Sequence, residues 1–142
     1  NISIDTKPIK EKKIAIKKKI NDAYSESLDG FCGCTILKVP KDRTSNYWLS
    51  VLVTSDLSGR LVRKIIKNLD AEDIQARRVW TPLHDQPVFL ENAFVTNCTG
   101  ISVSEEFFCR AVCLPSDENM SHEDQLRVIN IIKKTIKVIV KV

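Results

Sequence analysis

Apolar residues recur along three long stretches of the chain at the spacing of one helical face. In residues 6–28, in residues 58–69 and in a stretch that begins at Ser121, they return about every 3.6 positions, the period of an α-helix. Each stretch is therefore predicted to form a helix that buries one apolar stripe. The predicted stripes are Ile9, Ile16, Ile20, Ala23, Tyr24 and Leu28 in the first helix, Val62, Ile65, Ile66 and Leu69 in the second, and Leu126, Ile129, Ile132 and Ile136 in the last.

β-branched and aromatic residues mark the predicted strands. The clearest strand covers residues 47–54, a short extended segment covers residues 74–79, and a brief strand lies at residues 113–114. Residues 80–100 show no periodicity and are predicted to be irregular. Irregular segments of this length inside a domain are more often functional than not.

Polar residues at helix starts complete the predicted order of elements. Ser121 is followed three residues later by Asp124, as in a capping box. A short helix over residues 105–112 is predicted to start from Ser104 as its cap. The order α-β-α-β-loop-α-β-α predicts an α/β fold, an α+β sandwich in which a small mixed sheet is covered by helices.

The composition is that of an ordinary globular domain of 142 residues, with 43% hydrophobic and 28% charged residues. This length is typical of one domain. No apolar run approaches the roughly 20 residues that cross a bilayer, and residues 1–13 are polar and basic, unlike a signal peptide. The sequence therefore predicts a cytoplasmic protein with no membrane partner.

The net charge of +4 is concentrated in one segment. Residues 7–19 hold seven lysines and one acid, a charge of +6, which leaves −2 for the rest of the chain. Phosphate contacts need such basic residues, but the segment offers no aromatic residue for base stacking, because Tyr24 belongs to the apolar stripe. A solvated helix face is the preferred interpretation, and nucleic-acid binding by this helix stays open as an alternative.

The cysteines and one histidine do not form a recognisable catalytic or metal-binding motif. An odd number of cysteines argues against a disulfide framework, and Cys32 and Cys34 lie closer together than the common zinc knuckle requires. His122 is predicted to face solvent in the first turn of the last helix. No metal ligand is assigned, and buried free thiols are predicted for the five cysteines, Cys32, Cys34, Cys98, Cys109 and Cys113.

Residues 77–89 concentrate side chains that can bind a polar ligand. Arg77 offers a guanidinium group for a phosphate or carboxylate, and Trp80 offers a flat face for a sugar or a base. His84 and Gln86 can hydrogen-bond to hydroxyl groups, and two prolines stiffen the backbone. The pattern predicts a binding loop. The alternative is that Trp80 and Phe89 anchor a core while the polar side chains satisfy nearby backbone groups.

The same loop resembles the R-P-x-W-x-P-x-H-x-Q-P-x-F stretch of DegT/StrS-type sugar aminotransferases. Arg78 and Thr81 depart from the stretch at positions where proline and lysine are common. The flanking segments at residues 46–48, 104–106 and 113–116 are similar to those of the family in order and spacing. The matching loop residues are Arg77, Trp80, Pro82, His84, Gln86, Pro87 and Phe89.

The resemblance implies the small C-terminal domain of a fold type I aminotransferase over residues 31–142, with residues 1–30 as the helix that links it to a large domain. It further implies pyridoxal 5'-phosphate (PLP) as cofactor, glutamate as amino donor and a nucleotide-linked keto-sugar as acceptor, in surface glycan or amino-sugar biosynthesis. In the family the Schiff-base lysine and the other cofactor residues lie upstream of the equivalent of residue 1. The chain alone is therefore expected to hold no PLP and to be inactive.

Carried onto this chain, the resemblance assigns the substrate side of an active site that is often shared across a homodimer interface. Trp80 and His84 would line the substrate pocket, and Arg77 would anchor an anionic group or hold the loop. Gln86 completes the predicted substrate-binding set. The alternative from another class is a standalone binding or regulatory module that keeps this fold.

Overall fold

The computed structural model of the chain describes residues 7–97 and 99–140. Over these residues the regular elements follow the predicted order, with one further short strand before the first long one. The helices are α1 (Lys7–Leu28), α2 (Arg60–Asp70), α3 (Val103–Arg110) and α4 (His122–Val140), and the strands are β1 (Thr35–Ile36), β2 (Ser50–Val53), β3 (Arg77–Arg78) and β4 (Ala111–Leu114).

The strands form one sheet in the order β1-β2-β4-β3. The α/β class and the small helix-covered sheet are confirmed, but every strand pair in the described part of the chain is antiparallel, so the predicted mixed sheet is wrong in that detail. The reason is topological. The strands β2 and β3, joined through α2, run parallel to each other, but β4 inserts between them and pairs antiparallel with both.

The core lies between the sheet and the helices α1, α2 and α4. All four residues of β4 are buried, which is expected for a central strand covered on both faces. The buried cluster draws on every long helix and on β1, β2 and β4, with Tyr24, Leu28, Ile36, Leu52, Ile65, Leu69, Val112, Ile132 and Ile136 among its members. The second half of α1 therefore packs in the same core as residues 31–142, and the proposed division at residue 30 stays a prediction.

The start of α1 does not reach this core. Ile9, which was assigned to the buried stripe, is 56% exposed, whereas Ile20 is buried. A helix of 22 residues is about 33 Å long, while a strand of four residues spans about 13 Å. One end of the helix therefore extends beyond the sheet. The sequence also predicts Thr6 as the cap of this helix, and this residue lies outside the described ones.

The buried face of α4 is rotated relative to the predicted stripe. Leu126 is 41% exposed, and the polar Gln125 and the apolar Val128 are buried in its place. Gln125 tolerates burial because its Nε2 donates a hydrogen bond to the backbone oxygen of Ile20, at 2.7 Å. Ile129, Ile132 and Ile136 are buried as predicted.

Two helix starts show capping boxes. At α4 the Ser121 hydroxyl accepts from the Asp124 backbone N–H at 3.1 Å, as predicted. At α3 the cap is Ser102 instead of Ser104, because the Glu105 side chain accepts from the Ser102 backbone N–H and so begins the helix two residues earlier.

Candidate functional site

The two tryptophans of the chain flank one cavity at the β3 edge of the sheet. The rings of Trp48 and Trp80 are 6.0 Å apart between centroids and tilted by 47°. They are 61% and 66% exposed, so neither is a core anchor, and that alternative for Trp80 is wrong. The cavity has a volume of about 550 Å³ and is also lined by Arg77 and by Cys113 and Leu114 of β4.

Arg77 and Arg78 both line this cavity, and the register of β3 on β4 orients their side chains. Arg77 pairs with Cys113 and Arg78 with Val112. Successive side chains of a strand point to opposite faces. Arg77 is exposed and makes no ion pair with any residue in the ranges 7–97 and 99–140. Its guanidinium is therefore available to an anionic ligand.

The Arg78 side chain contacts α3 on the other face of the sheet. Its Nη1 donates to the backbone oxygen of Phe108 at 3.0 Å, and its guanidinium lies 4.9 Å from the centre of the Phe108 ring. A Cβ at Gly59 would come within 3.1 Å of Nη2 of Arg78 and 2.9 Å of the Cys109 oxygen. Gly59, at φ 68, thus allows the start of α2 to pack against α3 and β3.

His84 lies in a short 3₁₀ turn beyond Trp80 and does not line the tryptophan cavity. Its ring stacks on Phe94, with 3.7 Å between ring centres and 23° between planes. Its Nε2 lies 3.3 Å from Oε1 of Glu105 and 3.9 Å from Oδ1 of Asp85. The imidazole is thus held between an aromatic face and two carboxylates.

The Gln86 side chain forms a hydrogen bond within the loop. Its side-chain Nε2 donates to the backbone oxygen of Thr81 at 3.1 Å, across the 3₁₀ turn that contains His84. The structure therefore brings Arg77 and Trp80 to one cavity and leaves His84 and Gln86 beside it in the loop. Whether these four residues bind substrate stays a prediction.

Two residues that the sequence-based prediction left without a site role are central here. Trp48 faces Trp80 because β2 and β3 flank β4. Glu105 faces His84 because it caps α3. Trp48 had a detectable signal, because it is one of two tryptophans in the chain and lies in the clearest predicted strand. The partner of His84 had none, because the two residues are 21 positions apart and come together only in the tertiary structure.

His84, Asp85 and Glu105 are also the one group in the described residues whose potential metal-ligand atoms all lie within 4.8 Å of one another. One oxygen of Glu105 is already engaged in the α3 capping box. The partial positive charge of a helix N-terminus disfavours a cation there. The sequence assigned no metal ligand, and the group is a contact between one imidazole and two carboxylates.

Of the four described cysteines, two are buried as predicted and two are not. Cys34 and Cys113 are buried free thiols, as predicted, and burial raises the pKa of Cys34 to about 11. Cys32 is exposed, so its predicted burial is wrong. The positive φ of 50° at Cys32 turns the chain outward between two left-handed glycines. Cys109 is half-buried, and Cys98 lies outside the described residues.

The lysine-rich helix makes several contacts within the domain. Lys13 forms an ion pair with Glu118 at 2.7 Å, and Lys17 donates to the backbone oxygen of Ser116 at 2.7 Å. Lys18 pairs with Asp22 one turn away at 2.6 Å. These contacts support the interpretation of α1 as a solvated face that also holds the segment after β4.

Exposed apolar side chains concentrate in the irregular segment after β3 and at the start of α3. They are Trp80, Leu83, Val88, Leu90, Phe94, Val95, Ile101 and Val103, and Trp48 and Leu57 add to them. Clusters of this kind mark surfaces that bind another protein, a membrane or a ligand.

Solved aminotransferases contain the same fold. DesV of S. venezuelae, determined in complex with a ketimine intermediate, matches with a TM-score of 0.76 and 19% identity over 89% of this chain and 33% of its own. DesI, determined in the presence of its TDP-sugar product, matches with a TM-score of 0.76 and 15% identity over 92% of this chain and 34% of its own. At these identities the likeness establishes the fold alone.

The sequence then places the chain within one family. The profile of the DegT/DnrJ/EryC1/StrS aminotransferase family matches residues 10–133, and the chain belongs to this family. It is 32% identical over 122 residues to EpsN of Bacillus subtilis (strain 168), whose name assigns it as a pyridoxal phosphate-dependent aminotransferase. The match covers 86% of this chain and 31% of EpsN. The chain thus spans about a third of the length of the relatives it matches.

Among the described helices, none is both long enough and apolar enough to cross a membrane.

Proposed function

We propose that this chain is the small C-terminal domain, residues 31–142 with residues 1–30 as a linking helix, of a PLP-dependent sugar aminotransferase. The parent enzyme moves an amino group from an amino acid, glutamate, to a nucleotide-linked keto-sugar. Family membership supports the reaction class. The TDP-sugar product named for DesI supports a nucleotide-linked sugar as substrate.

The observation that carries the substrate side of this proposal is the cavity between Trp48 and Trp80. Its volume of about 550 Å³ falls within the usual range of small-molecule sites. Indole faces stack on sugars and bases, and the unpaired guanidinium of Arg77 matches a phosphate in charge and geometry. A base, a sugar and a diphosphate are the parts of a nucleotide-linked sugar, and this cavity offers a partner to each.

The tryptophan cavity does not fit the cofactor itself. A PLP enzyme of this type holds its cofactor on a lysine, and no lysine lines the tryptophan cavity in the described structure. We therefore propose that the cofactor residues belong to a part of the parent outside these 142 residues, and that this chain alone is inactive. When bound, PLP supplies the electron sink, and this chain binds and orients the sugar acceptor.

The parent enzyme is also proposed to form a homodimer. The exposed apolar segment around residues 80–103 supports a homodimer in which a second subunit covers it. The reaction is proposed to serve surface glycan or amino-sugar biosynthesis in the cytoplasm.

The cavity assignment is tested by steady-state kinetics of the full-length enzyme. Arg77→Ala and Trp80→Ala should each raise the KM for the nucleotide-linked keto-sugar by about tenfold, because one charged hydrogen bond or one stacked ring contributes about 1.5 kcal/mol. The KM for glutamate should change little. Arg60→Ala removes an exposed arginine of α2 that lies away from this cavity and serves as the matched control. Unchanged sugar KM values in both cavity variants would refute the assignment.

A further inference from the structure

The backbone immediately before Trp48 is held in an uncommon conformation. Tyr47 has a φ of 51°, in the left-handed region that residues other than glycine rarely adopt. Two local hydrogen bonds close this turn. The Ser45 hydroxyl accepts from the Tyr47 backbone N–H at 3.0 Å, and Oδ1 of Asn46 accepts from the Trp48 backbone N–H at 3.1 Å. Left-handed residues of this kind are costly and persist where their surroundings fix them, so the turn sets the direction in which the chain approaches β2.

The turn sends two neighbouring aromatic side chains to different cavities. Tyr47 is half-buried and lines a cavity of about 280 Å³ together with Asn21 of α1. The ammonium group of Lys18, also on α1, lies 5.9 Å from the centre of the Tyr47 ring. Trp48 instead lines the cavity that contains Trp80. The tyrosine ring is thus anchored on α1, whereas the next side chain is exposed and faces the second indole.

The spacing of the two indoles leaves no room for a ligand ring between them. Their centroids are 6.0 Å apart, which is the spacing of an aromatic pair in direct contact. A ring inserted between them would need carbon contacts of about 3.5 Å on each side, or about 7 Å in all. The pair therefore forms one wall of the cavity, and Arg77 lines the same cavity beside it.

We propose that Asn46, through its hydrogen bond, and Tyr47, through its left-handed backbone, are positioning residues that hold the indole of Trp48 against its partner. A ring of the ligand stacks on the wall that the two indoles form, not between them. Arg77 then meets an anionic group attached to that ring. The nucleotide-linked keto-sugar of the proposed function has both parts, and only this ligand contact rests on the proposed function. The arrangement of the indoles rests on the described contacts alone.

Two substitutions at residue 47 separate the backbone conformation from the tyrosine ring, which both of them remove. Tyr47→Asn keeps the left-handed conformation, because asparagine adopts it several-fold more often than most residues, whereas Tyr47→Val disfavours it, because valine is β-branched. Asp73→Val is the matched control. Asp73 has a similar φ of 58° but does not line the tryptophan cavity.

A second pair of substitutions addresses the hydrogen bond at Trp48. Asn46→Ala removes the oxygen that accepts from the Trp48 backbone N–H. Asn46→Asp keeps an oxygen at the same place, since both side chains form this type of turn, and is the rescue variant. Asn46 is exposed, so neither change disturbs the core.

The primary measurement is the exciton couplet of the paired indoles in the circular dichroism of the full-length protein. It is isolated for each variant as the difference from the same variant carrying Trp80→Phe, at a temperature below the unfolding transition of every variant. Tyr47→Val and Asn46→Ala should weaken the couplet, while Tyr47→Asn, Asn46→Asp and Asp73→Val should keep it. An unchanged couplet in the first two variants, or an equal loss in the variants expected to keep it, would overturn the proposal.

A second measurement separates the positioning from the proposed function. In the full-length enzyme, Asn46→Ala should raise the KM for the nucleotide-linked keto-sugar about fivefold, the effect of one typical hydrogen bond. The value of kcat should change little, because the wall contributes to binding and not to the chemical step, and Asn46→Asp should restore the KM. If the couplet falls and the sugar KM stays, the turn positions Trp48 but the cavity is not the sugar site, and the proposed function loses its cavity assignment. If the KM rises while the couplet stays, the positioning itself is refuted.

Discussion

The hydroxyl of Tyr24 offers a direct test of whether α1 folds as part of this domain. Tyr24 is fully buried, and its hydroxyl donates to the backbone oxygen of Pro115 at 2.9 Å. Burial raises the pKa of Tyr24 above its usual value, so the hydroxyl remains a donor throughout the neutral range. The bond joins the second half of α1 to the segment just after the central strand β4.

Tyr24→Phe removes this bond and leaves the rest of the ring in place. A typical net hydrogen bond contributes about 1 kcal/mol, and a buried carbonyl left without its donor costs about 1 kcal/mol or more. Since the Pro115 oxygen regains part of its hydration, we expect a loss of about 1.5 kcal/mol in the free energy of unfolding. For a domain of this size the melting temperature should fall by about 3–6 °C.

The assay is urea unfolding of the 142-residue chain, followed by circular dichroism at low protein concentration. Tyr47→Phe is the control, because Tyr47 is half-buried and its hydroxyl makes no hydrogen bond within the described ranges. The control should change the free energy of unfolding by less than about 0.5 kcal/mol. If both variants unfold at the same urea concentration, the contact between α1 and the segment after β4 does not stabilise the fold, and the reasoning fails.

Three further predictions concern the cofactor, the pH dependence of stability and self-association. With added PLP and borohydride, the 142-residue chain should form no stoichiometric adduct at any single lysine by peptide mapping, and one such adduct would contradict the proposed cofactor location. Hydrogen bonds from Ser121 lower the pKa of Asp124, so its stabilisation is present above the unfolded pKa and is lost as pH falls through the folded value. The difference in unfolding free energy between wild type and Asp124→Asn should therefore shrink between about pH 7 and about pH 2, and an equal difference at both would contradict the capping role. The chain should self-associate in sedimentation experiments through its exposed apolar segment, and Val88→Asp with Leu90→Asp should weaken this; a monomer at every concentration would exclude that surface.

Local rules account for the elements that the sequence predicts well. The periodicity of residues 58–69 locates α2, since an amphipathic stripe buries itself wherever a core is available. The pair Ser121 and Asp124 marks the start of α4, because a capping box is formed by residues three positions apart. The same rules misplace the start of α3. Ser102 and Ser104 both precede Glu105, and only the geometry of the Glu105 side chain selects the first.

The candidate site was also predictable only in part from the sequence. Arg77, Trp80, His84 and Gln86 were selected as residue types suited to a polar ligand, and the chain order alone places them on one loop. Their separation into two groups was not predictable. It depends on the pairing of β3 with β4, which orients Arg77, and on the hydrogen bond from Gln86 to Thr81, which turns that amide into the loop.

The sequence by itself determined the family, the order of helices and strands, and the loop that carries the candidate chemistry, because these depend on residue type and on spacing within a few turns. Only the tertiary structure decided that Trp48 stands opposite Trp80, that Glu105 faces His84, and that β4 separates two parallel strands. Each of these pairings joins residues distant in sequence. They form because burying the apolar faces of α1, α2 and α4 against one small sheet leaves a single compact arrangement of the intervening segments.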